Sequence, residues 1–110
     1  MLTRSLLDPR GAVLIVEVPT SRAERARGLR GRPPVPMLFE RARSVHTFGM
    51  RETIDVAFLD AHHRVIRVSS VPPRRIAFAL RARDVLEMPA GADVRCGERL
   101  APPIEGPDAQ

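Results

Sequence analysis

The sequence predicts a strand-rich α+β domain with a compact, barrel-like core, one clear helix at about residues 21–30 and short helical turns elsewhere. Three observations lead there. Short apolar runs bounded by proline and glycine recur along the chain, a capping box opens the one strong helix signal, and the order of elements is not a regular strand–helix alternation. The last point argues against a doubly wound parallel sheet. A chain of 110 residues has room for one hydrophobic core, expected over residues 1–101, with a disordered tail over 102–110.

Taken in order, residues 2–7 and 11–18 read as extended segments joined by Asp8-Pro9-Arg10-Gly11, a turn tetrad in which proline presets φ and glycine is free to close. Val13-Leu14-Ile15-Val16 has the β-branched, continuously apolar character of a central strand buried on both faces. Ser21 and Glu24 have capping-box spacing, and Gly28 to Gly31 followed by Pro33-Pro34 ends the helix. Ala23, Ala26 and Leu29 are expected to form its inward stripe, with the arginines solvated. Met37-Leu38-Phe39 is a brief apolar anchor, and 45–50 is extended. Residues 54–60 and 64–71 form the best strand pair, with Ala61-His62-His63 as a hairpin turn. Val56 and Phe58 share one face of that hairpin, as do Ile66 and Val68. Residues 76–80 are ambiguous, 85–88 read as a strand, and 92–96 as one helical turn. There is no internal repeat.

The charge pattern has two readings. A net charge of +5 and a pI near 11.3 point to polyanions. Yet all 18 basic residues are arginine, and the chain lacks lysine, asparagine, tyrosine and tryptophan. A GC-rich genome produces that pattern without selection for a polyanionic partner. The single cysteine, Cys96, excludes an internal disulfide and a multi-cysteine zinc site, and is expected to be a semi-buried structural thiol. No apolar run approaches the ~18 residues that span a bilayer, and no signal-peptide pattern is seen, so the expected location is cytoplasmic, with no membrane partner.

Four segments stand out in order. Glu24-Arg25-Ala26-Arg27-Gly28-Leu29 ends a helix on Arg-Gly-Leu, and Met37-Leu38-Phe39 follows as a short step. Phe48-Gly49-Met50-Arg51-Glu52-Thr53-Ile54-Asp55-Val56-Ala57-Phe58-Leu59-Asp60 is the most distinctive stretch. Val85-Leu86-Glu87-Met88-Pro89-Ala90-Gly91 precedes Gly97-Glu98-Arg99-Leu100. Together, over about residues 11–101, these resemble the prokaryotic family known as domain of unknown function 192. The resemblance implies a strand-rich α+β fold and no known reaction, substrate or cofactor. This chain departs from the family pattern at Gly49, where tryptophan is frequent, at Pro36, where glycine is usual, and at Arg51-Glu52, where Lys-Asn is common. The resemblance implies an export signal in many relatives, and none is expected here.

Three functional readings compete. The favoured one is a non-enzymatic binding or accessory module for a small molecule or a protein, with His46, Phe48, Met50, Thr53 and Asp55 shaping a partly apolar pocket in the 48–55 loop. The alternative is a hydrolase-like enzyme with Asp55 and Glu87 as an acid/base pair. The structural role expected of Asp55 is to brace the preceding loop, and that of Glu87 is to lie in solvent or pair with an arginine. The third reading is polyanion binding through Arg74, Arg75, Arg81 and Arg83. Single-strand recognition adds aromatic platforms, and Phe39, Phe48 and Phe58 sit in core-like contexts, so nucleic acid is not the expected partner. His62 and His63 point apart in an extended turn and are not expected to hold a metal. No cofactor is expected.

Overall fold

A six-stranded sheet organises the chain. The computed structural model describes residues 1–102 and contains β1 (Leu2–Leu7), β2 (Val13–Val18), α1 (Arg22–Arg27), β3 (Met37–Phe39), β4 (Ser44–His46), β5 (Ile54–Leu59), β6 (Val65–Val71), β7 (Ile76–Phe78) and β8 (Asp84–Pro89). The sheet order is β1-β2-β3-β8-β5-β6, with β4 and β7 paired apart from it. β2 meets β3 in parallel, and the other pairings are antiparallel. β1 and β6 form the edges and do not pair with each other, so the sheet is not a closed barrel. The segment after β8 reaches both edges through isolated bridges, Leu7 with Ala101 and Arg64 with Arg99. The expected tail falls, from 103 onward, outside the described residues.

Both faces of the sheet's centre are covered. Side chains alternate along a strand, so β3, β5 and β8 each feed two cores. One contains Val16, Val18, Leu38, Ala57, Leu59, Leu86, Met88 and Leu100. The other contains Leu29, Met37, Phe39, Val45, Ile54, Val56, Phe58 and Val85. Strand β8, with five consecutive buried residues, is therefore the central strand rather than β2. In β2 only Val16 and Val18 turn inward fully, while Val13 and Ile15 are exposed. Near the edge of the sheet nothing covers their side.

Several local readings change with tertiary context. Helix α1 is one and a half turns long, shorter than expected, although its capping box is fully formed. Ser21 Oγ accepts from Glu24 N–H at 3.1 Å, and Glu24 Oε1 accepts from Ser21 N–H at 3.1 Å. Ala23 and Ala26 are exposed, and only Leu29, past the helix, is buried. The β5–β6 hairpin forms as expected, but a register shift at Phe58/Leu59 puts Ile66 and Val68 on opposite faces: Ile66 packs against the core of Phe58, whereas Val68 opposes Ala57 and is exposed. Residues 92–96 form no helical turn, and Cys96 is exposed.

One buried polar side chain fixes the surface of the smaller sheet. Thr47, with no solvent exposure, follows β4. Its hydroxyl donates to Pro72 C=O at 2.6 Å and accepts from Arg75 N–H at 2.9 Å, while its own N–H reaches Arg75 C=O at 2.8 Å. The 72–75 loop is thereby fastened to the β4 end. Thr47→Val keeps the side chain's shape but strands the carbonyl and the N–H. It is expected to cost about 1–3 kcal/mol in urea unfolding. A loss below ~0.5 kcal/mol would show that the latch is dispensable.

Candidate functional site

Glu87 is the functional group that tertiary structure changes most. The register of β8 against β5 pairs Val56 with Glu87 and Asp55 with Met88. Directly opposed residues share a face and neighbours alternate, so Glu87 projects into the core of Phe39 and Val85 while Asp55 projects to the other side. The two carboxylates lie on opposite faces of the sheet and form no acid/base pair. Asp55 Oδ2 accepts N–H bonds from Gly91 at 2.9 Å and Ala92 at 3.1 Å. It braces a loop, but the one after β8 rather than the one before β5.

Glu87 is 4% exposed and, among the described residues, its carboxyl has no hydrogen-bond or ion-pair partner. It is neither solvated nor paired with an arginine, contrary to the sequence reading. Burial pushes its pKa up to about 7. The side chain lines an inner cavity of about 170 Å³ with Gly28, Leu29, Phe39, His46 and Met50, and Arg25, Arg27 and Arg30 also stand around it. Gly28 makes the roof possible. Its φ of +53° and ψ of −130° suit glycine, and a Cβ there would sit 3.4 Å from Phe39 Cζ and 4.0 Å from Glu87 Oε1.

Leu29 and Met50 also wall a larger outer cleft of about 460 Å³, which runs between the 31–34 turn and residues 49–52. Arg32 and Arg51 stand on its rim, Arg32 within 2.8 Å of Glu17. Gly49, at φ +83°, has Arg30 Cδ 2.8 Å from where a Cβ would be, so the arginine stem crosses the place that a side chain there would take. A further hollow of about 400 Å³ on the opposite face holds Asp8 and Asp93, both ion-paired with Arg10.

Of the expected pocket residues, Met50 lines both cavities and His46 the inner one, whereas Phe48, Thr53 and Asp55 line neither. Phe48 is exposed rather than core-like, its ring 5.7 Å from that of His46. Arg74, Arg75, Arg81 and Arg83 are all exposed, on the 72–75 loop and in the turn between β7 and β8. His63 reaches Asp84 at 3.4 Å. Sequence reasoning missed Gly28, Leu29 and the 31–34 turn as cavity walls. The proline and glycine cluster there signalled only a helix end.

The raised pKa of Glu87 has a definite sign. The unfolded carboxyl titrates near 4.5 and the folded one near 7, so the folded state holds a proton that the unfolded chain releases. Its stabilising contribution is fully present below about pH 4.5 and is lost as pH rises through about 7, by about 3 kcal/mol. Glu87→Gln is expected to abolish that decline in urea midpoints. A variant that declines as steeply as the parent between about pH 5 and pH 8 would show that Glu87 titrates normally.

Comparison with known proteins agrees with this architecture. The chain is 37% identical over 84 residues to the UPF0127 protein PH1112 of Pyrococcus horikoshii, covering 69% of this chain and 73% of that one. A crystal structure of a protein of unknown function from Novosphingobium aromaticivorans superposes with a TM-score of 0.73 at 21% identity, covering 90% of this chain and 83% of that one. A putative transcription regulator from Sinorhizobium meliloti gives 0.72 at 24%, covering 89% and 90%. At such identities the two structures share the fold. Residues 6–99 match the family described as Uncharacterized ACR, and the chain therefore belongs to that family, domain of unknown function 192.

Proposed function

We propose that the domain is a non-enzymatic module that binds a small polar ligand in the cleft between the 31–34 turn and residues 49–52. This reading rests on the Glu87 carboxyl, without a partner among the described residues, largely buried and opening onto a cavity that shares the Leu29 and Met50 walls with the cleft. A buried polar group without a partner is costly, and a ligand that hydrogen-bonds to it recovers that cost. With a pKa of about 7, Glu87 holds a proton below neutrality and donates to a ligand oxygen; above neutrality it accepts from a hydroxyl or amide. With Arg32 held by Glu17 and Glu52 also on the cleft wall, Arg51 is the rim cation that favours a ligand whose outer end is anionic. Sugar acids, hydroxy acids and phosphorylated sugars have this shape of chemistry. The apolar walls, Leu29 and Met50, suit the carbon skeleton between the two ends.

A thermal-shift screen with such compounds tests the reading. A ligand at about 100 times its dissociation constant adds ~2.7 kcal/mol, which at this size raises the melting temperature by more than ~8 °C. Met50→Trp, which fills the wall shared by the two cavities, is expected to abolish the shift, and Glu87→Gln to alter its pH dependence. Shifts that survive Met50→Trp unchanged would move the ligand elsewhere on the protein. Silence from the whole panel would count against a small-molecule role.

A further inference from the structure

We propose that the outer face of the β4–β7 pair is a docking surface for single-stranded nucleic acid. This goes beyond the ligand cleft, and of its rings only His46 also lines the inner cavity. In the antiparallel register of this pair, His46 lies opposite Ile76 and Ser44 opposite Phe78. Val45 and Ala77 fall on the alternate face and pack into the core. The other face is bare. Ile76 is 66% and Phe78 57% exposed, with Phe48 at 49% and Leu80 at 76% alongside. The His46 and Phe48 rings are 5.7 Å apart, and Phe78 lies one diagonal step from His46 on the same face. His46 and Phe78 thus share the two-stranded surface, with Phe48 beside His46 in the turn after β4, in a protein with four phenylalanines and no tryptophan or tyrosine.

Charge is sorted onto the same region. Half of the 18 arginines fall in residues 41–51 and 64–83, two stretches that contain no carboxylate. These stretches supply β4, β6, β7 and the turns beside them. Among the described residues, the arginine ion pairs belong to Arg4, Arg10, Arg32 and Arg95; none belongs to an arginine between 41 and 83. Arg67 instead reaches Phe78 C=O at 3.1 Å, which sets its guanidinium beside the bare strand. Arg75 sits on the loop latched by Thr47. A GC-rich genome explains why the cations are arginines. It does not explain why no carboxylate falls within these two stretches. Aromatic platforms flanked by unpaired guanidinium groups match stacked bases and the phosphates between them. Their charge complement is an anionic strand with exposed π-faces, which a single strand offers and a duplex does not.

The test is fluorescence anisotropy with a labelled oligouridylate about a dozen nucleotides long, titrated over a range of salt. Saturable binding is expected, with log K falling linearly in log salt by roughly 0.7 per phosphate contacted. Arg75→Gln with Arg81→Gln is expected to shallow that slope by about 1.4. Phe48→Ala with Phe78→Ala is expected to weaken binding about tenfold or more while leaving the slope unchanged. All four side chains are exposed, and circular dichroism melts verify that each variant folds. Absence of binding overturns the proposal. So does binding that ignores the phenylalanine substitutions, since that is unspecific attraction of a polyanion. Equal competition by polyglutamate overturns it too, and assigns the face to an acidic protein.

Discussion

Strands β5 and β8 lie side by side with an apolar core on each of their two faces, and the placement of every candidate group depends on that double cover. A strand buried on both sides has no solvent face on which to display a polar side chain. Any carboxylate in its sequence must find a partner, lie at an end, or be desolvated. Asp84 and Asp55 take the first course. Asp84 accepts the Arg41 N–H at 3.0 Å, and Asp55 takes two backbone N–H groups. Glu87, in mid-strand, takes the last, and its raised pKa is the direct result.

The same cover explains the shape around Glu87. A sheet face with a helix laid flat on it would leave no room for a cavity. Here α1 is short and contributes no buried residue, so the lid combines its side chains Arg25 and Arg27 with the turn that follows it, with Gly28 over Phe39 and Leu29 pushed inward. A lid built from a glycine-containing turn leaves space that a helix's side chains would fill. That space is the inner cavity, and the 31–34 turn extends it outward into the cleft. Cap geometry, helix length and pocket are therefore one feature.

The β4–β7 pair follows a different logic. It is covered on one side only, and its exposed side carries residues that an ordinary surface strand would not choose. What keeps it in place is polar: Thr47, fully buried, ties the β4 end to the 72–75 loop through three hydrogen bonds. A surface whose backbone is fixed in this way presents its rings and guanidinium groups without further ordering, and so limits the entropy lost when a partner binds.

Much of the fold was legible in the residues themselves. Alternation and β-branching located six of the strand segments, the 37–39 anchor and the ambiguous 76–80 run became β3 and β7, and the capping box fixed the start of α1 because its partners are three residues apart and need nothing else. The family motifs were legible for the same reason, being contiguous. Neighbourhood was not. Val13 and Ile15 look like core residues, yet their strand lies near an uncovered edge; Phe48 looks buried and is exposed. Asp55 and Glu87 are both carboxylates in apolar strands, and a one-residue offset in register sends them to opposite faces. Residue order alone set the local conformations, the supply of arginines and the two stretches that hold them without a carboxylate. Folding set which rings stand exposed and which glutamate is buried, because strand pairing between distant segments fixes both the face and the cover of every side chain.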